Sequence, residues 1–431
     1  PGTGKTYSVA RVLMALLTDA HERGEPLSVA LAAPTGKAAA RLEESIRAAV
    51  ESVEQADRNP DSPVAETDRL LPAVREQLLN LGPTTVHRLL GSRYPVRTRF
   101  RHDASTPLRH DIVIVDETSM VSMPLLARLL EAVRPDARLV LIGDPDQLES
   151  VELGSVLGDI VASAGRSTSP VNGHMVRLVR GRRFGADSPI AHLADAVRTG
   201  DADAAVGCLH RDGLAYIAAE RPDAPVVVGA VGKVIEPVLT ALREAAERGD
   251  AATALQRLVE ARILCAHREG RFGVEFWNRT SEKWLCGTER AVRTWYPGRP
   301  VLVTKNDVRL NLANGDTGVV VSVDGELKVA FTKTGKGGAA EGVRLVNPVD
   351  LADVETAYAM TIHKSQGSEY GAVVLVLPPA TSPLVGRELV YTAVTRAKHH
   401  LMVIGSEEAV RVCVATPARR MTGLAESLAT A

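Results

Sequence analysis

Three short apolar runs constrain this chain more than anything else in it: LSVALAAP (27–34), DIVIVDE (111–117) and ARLVLIGD (137–144). Each has the length of a strand, and the last two end in acidic residues. Runs that are apolar throughout are buried on both faces, as in parallel sheets whose crossover helices cover both sides. The intervening segments fit that pattern. TYSVARVLMALLTDA (6–20) has helical apolar spacing, and another helix is predicted from about Lys37. Ligands of such sheets bind beyond the carboxyl ends of the strands, where these acids fall.

A second α/β block runs from about residue 182 to the end, with helices expected near 189–199 and 236–260 and strands at RILCA (262–266) and AVVLVLP (372–378). Between them, residues 298–352 alternate apolar and polar residues with turn signals at NGD and DGE, which predicts a small, SH3-like all-β insertion. Two segments break the α/β alternation. Residues 51–68 are polar and acidic and read as an exposed excursion. Residues 91–110 carry Arg97, Arg99 and Arg101 at period two, which in a strand would share one face of a basic β-ribbon.

The net charge of −1 advertises no global attraction to nucleic acid, so any such binding must come from local basic patches. With aromatics at 3%, contacts to a single strand would be made mostly through its backbone. No stretch approaches the roughly 20 uninterrupted apolar residues of a membrane span. The four cysteines are scattered without a C-x-x-C pair, which speaks against zinc, an iron–sulfur cluster or a disulfide framework and fits a reducing cytoplasm.

Chemistry concentrates first in PGTGKT (1–6). In a phosphate-binding loop, glycines let backbone N–H groups converge on phosphate oxygens at a helix N-terminus. Lys5 would then neutralise the β- and γ-phosphates, and the Thr6 hydroxyl would ligate Mg²⁺. The partner motif is IVIVDETSM, where Asp116 supplies a carboxylate for the magnesium and Glu117 a candidate base for the attacking water. Together the two motifs describe an ATPase core. Gln147, in LIGDPDQLESV (141–151), follows the next strand and is placed to reach the γ-phosphate or the lytic water.

PGTGKT, APTGKAAARL, TTVHRLLG, VDETSM, GDPDQLESV, YAMTIHKSQGSEY and LVYTAVTRAK occur in one order along the chain. That order resembles the motifs of superfamily 1 DNA helicases, in particular the 5′→3′ branch and the RecD family, the alpha chains of exodeoxyribonuclease V. The resemblance implies two RecA-like P-loop NTPase domains with parallel sheets, 1–181 and 182–431, with ATP and Mg²⁺ bound in the cleft between them. It places a β-ribbon insertion (1B) at 91–110 and an SH3-like insertion (2B) at 298–352. One side of the cleft would hold Gly2, Thr3, Gly4, Lys5, Thr6, Asp116, Glu117 and Gln147. The other would contribute Arg396 as an arginine finger, Arg183 as a second one with Arg182 its rival for that place, and Gly367 and Glu369 near the nucleotide. The DNA track would use Pro34, Thr35, Lys37, Thr85 and His87 from the first half. Arg97 and Arg99 would come from the insertion, and Thr361, His363, Lys364 and Ser365 from the second half.

By the same resemblance the chain would be the motor of a complex with RecB-like and RecC-like subunits, acting on single-stranded DNA and duplex ends in double-strand-break repair, in the cytoplasm and without a membrane. Its nuclease would belong to another subunit. Two alternatives stay open: a stand-alone RecD-like helicase, and a DNA-binding scaffold that hydrolyses little ATP. Because the sequence starts inside the phosphate loop, we expect it to be a fragment, with the loop's first glycine, its strand, an adenine-binding motif and an N-terminal domain lying upstream.

Overall fold

The computed structural model describes residues 4–57, 70–92, 99–149, 156–178, 188–211, 213–290, 294–307, 309–334, 340–418 and 423–430. Four strands form the first sheet: β1 (Val29–Ala33), β2 (Thr84–Thr85), β3 (Ile112–Val115) and β4 (Arg138–Leu141), all parallel in the order β2-β1-β3-β4. Successive side chains of a strand point to opposite faces. Accordingly, Ile112 and Ile114 pack with Leu13, Leu17, Leu42 and Ile46 of the helices Lys5–Glu22 and Gly36–Asp57. Val113 and Val115 pack with Leu125, Leu126 and Leu129 of the helix Met123–Ala132 on the other side.

The remaining strands are β5 (Ala215–Ala218), β6 (Ala261–Cys265), β7 (Pro300–Val303), β8 (Thr317–Val323), β9 (Glu326–Thr334), β10 (Ala340–Val346), β11 (Val354–Thr356), β12 (Ala359–Thr361), β13 (Tyr370–Val376) and β14 (Ala397–Gly405). They divide into two sheets. A parallel sheet has the order β12-β6-β13-β14-β5, and an antiparallel sheet has the order β10-β9-β8-β7-β11. The antiparallel sheet is inserted in sequence between β6 and β12, so the chain leaves the parallel sheet at one strand and re-enters it beside the same strand. Two RecA-like α/β units and one small β sheet follow from this connectivity.

Three expectations need correction. The acidic segment does not begin at 51, because the helix Gly36–Asp57 runs through it; the stretch from residue 58 to 68 lies outside the described residues. The single helix expected at 236–260 is two, Pro225–Glu247 and Ala251–Leu258. Gly249 between them takes φ 74°, and the Asp250 side chain caps the second helix by accepting from the Thr253 N–H at 3.0 Å. The basic ribbon is not a ribbon over its described part: residues 99–110 contain no strand. The Arg101 N–H bonds back to the Leu90 and Gly91 carbonyls, and Asp103 accepts from the Ser105 and Thr106 N–H groups to close a turn. Arg97 lies outside the described residues.

Pro225–Glu247 is long and apolar enough to cross a membrane by length and composition. Its stripe of Val227, Val231, Ile235, Leu239 and Leu242 is instead packed against Ile263 and Val374 of the second parallel sheet.

Candidate functional site

The helix Lys5–Glu22 starts directly after Gly4, whose φ of 79° is left-handed and free of strain only for a residue without Cβ. Among the described residues no side chain caps this helix, so its first N–H groups are open to an anion. Beside it, the Thr6 hydroxyl donates to the Asp116 Oδ2 at 3.2 Å, joining the loop to the end of β3. Glu117 follows at φ 50°, an uncommon conformation for a residue with a side chain, and its N–H returns to the Asp116 Oδ1 at 2.8 Å. Hydroxyl, buried carboxylate and open helix N-terminus fit a magnesium–triphosphate group: Thr6 and Asp116 would hold the metal, Lys5 and the helix start the phosphates. Gly2 and Thr3 lie outside the described residues.

Burial, reinforced by the neighbouring Glu117, raises the Asp116 carboxyl to about 6 against the opposing pull of Lys5 and Thr6. Its folded value thus exceeds the roughly 3.9 of an unfolded chain. The folded state then binds more protons across about pH 4–6, and unfolding free energy contributed by this group falls as pH rises through that window. In EDTA, Asp116→Asn is therefore expected to stabilise the protein at pH 7 by about 1–2 kcal/mol and to flatten the pH dependence below 6. Urea midpoints would show it, and an unchanged or lowered midpoint at pH 7 would contradict the assignment. Binding of Mg·ATP should weaken in the same variant.

The two parallel sheets meet across this site. The Gln147 Nε2 donates to the Asp144 Oδ2 at 3.1 Å, while its Oε1 accepts from the Arg396 Nη2 at 3.2 Å. Arg396 is buried, with Nε on the Thr392 carbonyl and Nη1 on the Ser368 carbonyl, both at 3.1 Å. The Tyr391 hydroxyl reaches Asp144 at 3.4 Å, the Leu148 N–H donates to the Thr392 Oγ1 at 2.7 Å, and the Gln366 Nε2 donates to the Leu148 carbonyl at 2.6 Å. The loop after β4 is thus stitched to the helix Arg387–Val394 and to the turn after β12. Gln147, expected to reach the γ-phosphate or the lytic water, is here bonded to the expected finger. Arg182 and Arg183 lie outside the described residues.

The expected DNA residues divide into those that face outward and those that are occupied. The Thr35 and Thr85 hydroxyls accept from the Ala38 and Arg88 N–H groups, capping two helices; each keeps its own proton to donate. Pro34 is half-buried between β1 and the helix that Thr35 caps, and His87 is exposed beside Phe100 with ring centroids 6.0 Å apart. Thr361 is half-buried, and its hydroxyl accepts from the Lys364 N–H. His363 is half-buried on the short turn His363–Ser365. Ser365 does not face a strand of DNA: it is fully buried and donates inward to the Ile362 carbonyl at 2.7 Å. Lys37 extends across the interface to the Ser368 Oγ at 2.7 Å, with burial lowering its pKa. Lys364 is paired with Glu355 at 2.7 Å and is not a bare point charge. Arg99 is exposed but stands on no strand. Gly367 has φ 65°, and Glu369 sits between Arg41 at 3.5 Å and Lys398 at 3.4 Å.

Asp144, Ser368, Tyr391 and Thr392 are part of this junction and were not foreseen. For Asp144 the signal was present, an acid closing an apolar strand run. For the others, nothing local distinguishes a hydroxyl that crosses a domain junction from one that does not.

Residues 1–219 match the model of an AAA domain, and residues 356–404 that of the UvrD-like helicase C-terminal domain. The chain is 46% identical to the RecBCD enzyme subunit RecD of Mycolicibacterium smegmatis, over 99% of this chain and 71% of that protein. The same-named subunit of Haemophilus influenzae is 32% identical over 99% of this chain and 69% of its own length. The ATP-dependent RecD2 DNA helicase of Deinococcus radiodurans is 31% identical over 96% of this chain and 47% of its own length.

Proposed function

The chain belongs to the RecD family of RecBCD subunits, and from that premise we propose that it is an ATP-driven 5′→3′ DNA helicase motor working beside RecB-like and RecC-like subunits on single strands and duplex ends. Residues 1–181 and 182–431 would be its two motor domains, with 91–110 and 298–352 as their insertions, and the cytoplasm its place of work. The observation that carries the reading is the Gln147–Arg396 bond, which joins the loop beyond β4 of one sheet to the turn before β14 of the other, beside the helix start at Lys5. A subunit role is favoured over a stand-alone helicase by the 46% identity to subunit RecD against 31% to RecD2.

ATP with Mg²⁺ supplies the phosphoanhydride whose cleavage drives the cycle. Gly4 and the helix start would orient the phosphates, Lys5 would neutralise them, and Thr6 and Asp116 would hold the cation. Glu117 accepts the proton of the attacking water. Arg396, released from Gln147, moves its guanidinium onto the charge that develops on the transferred phosphoryl. Leu148 and Gln366 share one hydrogen bond, so a shift of the loop that carries Gln147 is passed to the turn that carries His363 and Lys364. Alternating grips on the DNA backbone require such differential contacts in the two states of the cleft.

The test is ATP hydrolysis with and without oligo-dT, followed by unwinding of duplexes carrying only a 5′ or only a 3′ tail. Stimulation by DNA and unwinding from the 5′ tail are expected. Absence of stimulation would refute the motor reading, and unwinding only from the 3′ tail would refute its polarity.

A further inference from the structure

β6 and β12 are adjacent parallel strands, with Cys265 in register with Thr361. Three residues beyond each of these positions stands a cation, Arg268 after β6 and Lys364 after β12. The two are therefore equivalent in the sheet, side by side beyond its carboxyl edge, where ligands of open α/β sheets bind. A single carboxylate bridges them. The Arg268 Nη2 donates to the Glu355 Oε1 at 3.1 Å and the Lys364 Nζ to the Glu355 Oε2 at 2.7 Å. Glu355 does not come from this sheet. It lies on β11, the edge strand of the antiparallel sheet, which carries the insertion past its expected end at 352, opposite Leu302 of β7. Arg268, Glu355, Thr356, Thr361 and Lys364 together line a small cleft between the insertion and the parallel sheet.

We propose that Arg268 and Lys364 form a two-cation cradle for one backbone phosphate of single-stranded DNA, and that Glu355 occupies this cradle when no DNA is bound. A carboxylate with one oxygen on each cation presents the same two-acceptor face as the non-bridging oxygens of a phosphodiester, and both partners suit either anion. The exchange is easy because the pairs are partly exposed, with Arg268 at 69% and Glu355 at 44% side-chain accessibility, and such pairs contribute little net stability. The carboxylate belongs to the insertion, so its displacement by DNA loosens the link between insertion and motor sheet. This rests on the reading of the chain as a DNA motor and adds Arg268 and Glu355 to the residues that reading contains.

The measurement is the affinity of the intact protein for fluorescent oligo-dT over a series of salt concentrations, with circular dichroism to confirm folding. Arg268→Gln is expected to weaken binding about 3- to 10-fold and to reduce the slope of log K against log salt by about 0.7, the value for one lost single-strand phosphate contact. Glu355→Gln, which removes the competing anion and keeps the shape, is expected to tighten binding by a similar factor and leave the slope unreduced. Wild-type binding with no change in Arg268→Gln, or weaker binding by Glu355→Gln, overturns the cradle and leaves the motor reading intact. No binding of oligo-dT by wild type overturns both.

Discussion

Arg396→Ala is expected to lower kcat for DNA-stimulated ATP hydrolysis on the order of 10³-fold or more, with a far smaller change in KM for ATP. An arginine finger acts on charge that exists only in the transition state, so its loss falls on kcat. Arg396 already sits at the junction, its three nitrogens each donating to a different oxygen: the Thr392 carbonyl, the Ser368 carbonyl and the Gln147 Oε1. This fork is a fixed geometry that an ammonium cannot reproduce. Arg396→Lys should therefore restore folding and charge but recover only a small part of the rate. Because truncation leaves those acceptors without this donor, some loss of stability of about 1–3 kcal/mol accompanies the alanine variant. Assays well below its melting temperature separate that loss from catalysis. A folded Arg396→Ala protein that keeps kcat within a few-fold of wild type would remove the finger from the mechanism, and Gln147 would lose its stated role with it.

The parts of the fold that sequence made legible are those fixed by local burial. β1, β3 and β13 are apolar on both faces, so they show as uninterrupted runs whatever surrounds them, and β6 does so after its Arg262. The phosphate loop and Asp116 are legible for a related reason. A left-handed Gly4, an uncapped helix start and an acid at a strand end are each local requirements, and each leaves its residue type at a fixed spacing.

Partners across the junction are a different matter. Lys37 finds Ser368 331 residues away, and Lys364 finds Glu355 on a strand of another sheet. Periodicity gives the face a side chain points from and never what another element sets opposite it. The arginines at 97, 99 and 101 show the reverse error. Period two implies a shared face only if the backbone is extended, and the turn that Asp103 closes, with Arg101 bonded to Leu90 and Gly91, removes that premise for the described part. The expectation of Ser365 on the DNA track fails because the turn at 363–365 directs its hydroxyl inward.

Arg262→Ala is expected to cost about 3–5 kcal/mol of stability, the largest loss among single substitutions in the second parallel sheet. In sequence this arginine opens the strand run RILCA. β12 and β13 flank β6 on both sides, and its side chain is 2% exposed. The guanidinium donates to the Ala357 carbonyl and, at 2.8 Å, to the Leu258 carbonyl, and it lies 5.1 Å from the centre of the Tyr370 ring. Ala357 is where the chain returns from β11 of the insertion to β12, and Leu258 ends the helix leading into β6. Arg262 thus ties the return from the insertion to the helix end that leads into β6, at one point beneath Tyr370. Alanine would leave both carbonyls without this donor and open a cavity under the ring. Arg262→Met fills most of the volume and buries no charge, so its loss should be clearly smaller, because the cost of desolvating a cation disappears along with the bonds. Urea midpoints of the three proteins decide it. An alanine variant within 1 kcal/mol of wild type, or a methionine variant less stable than alanine, would show that the buried cation does not hold the insertion to the motor sheet.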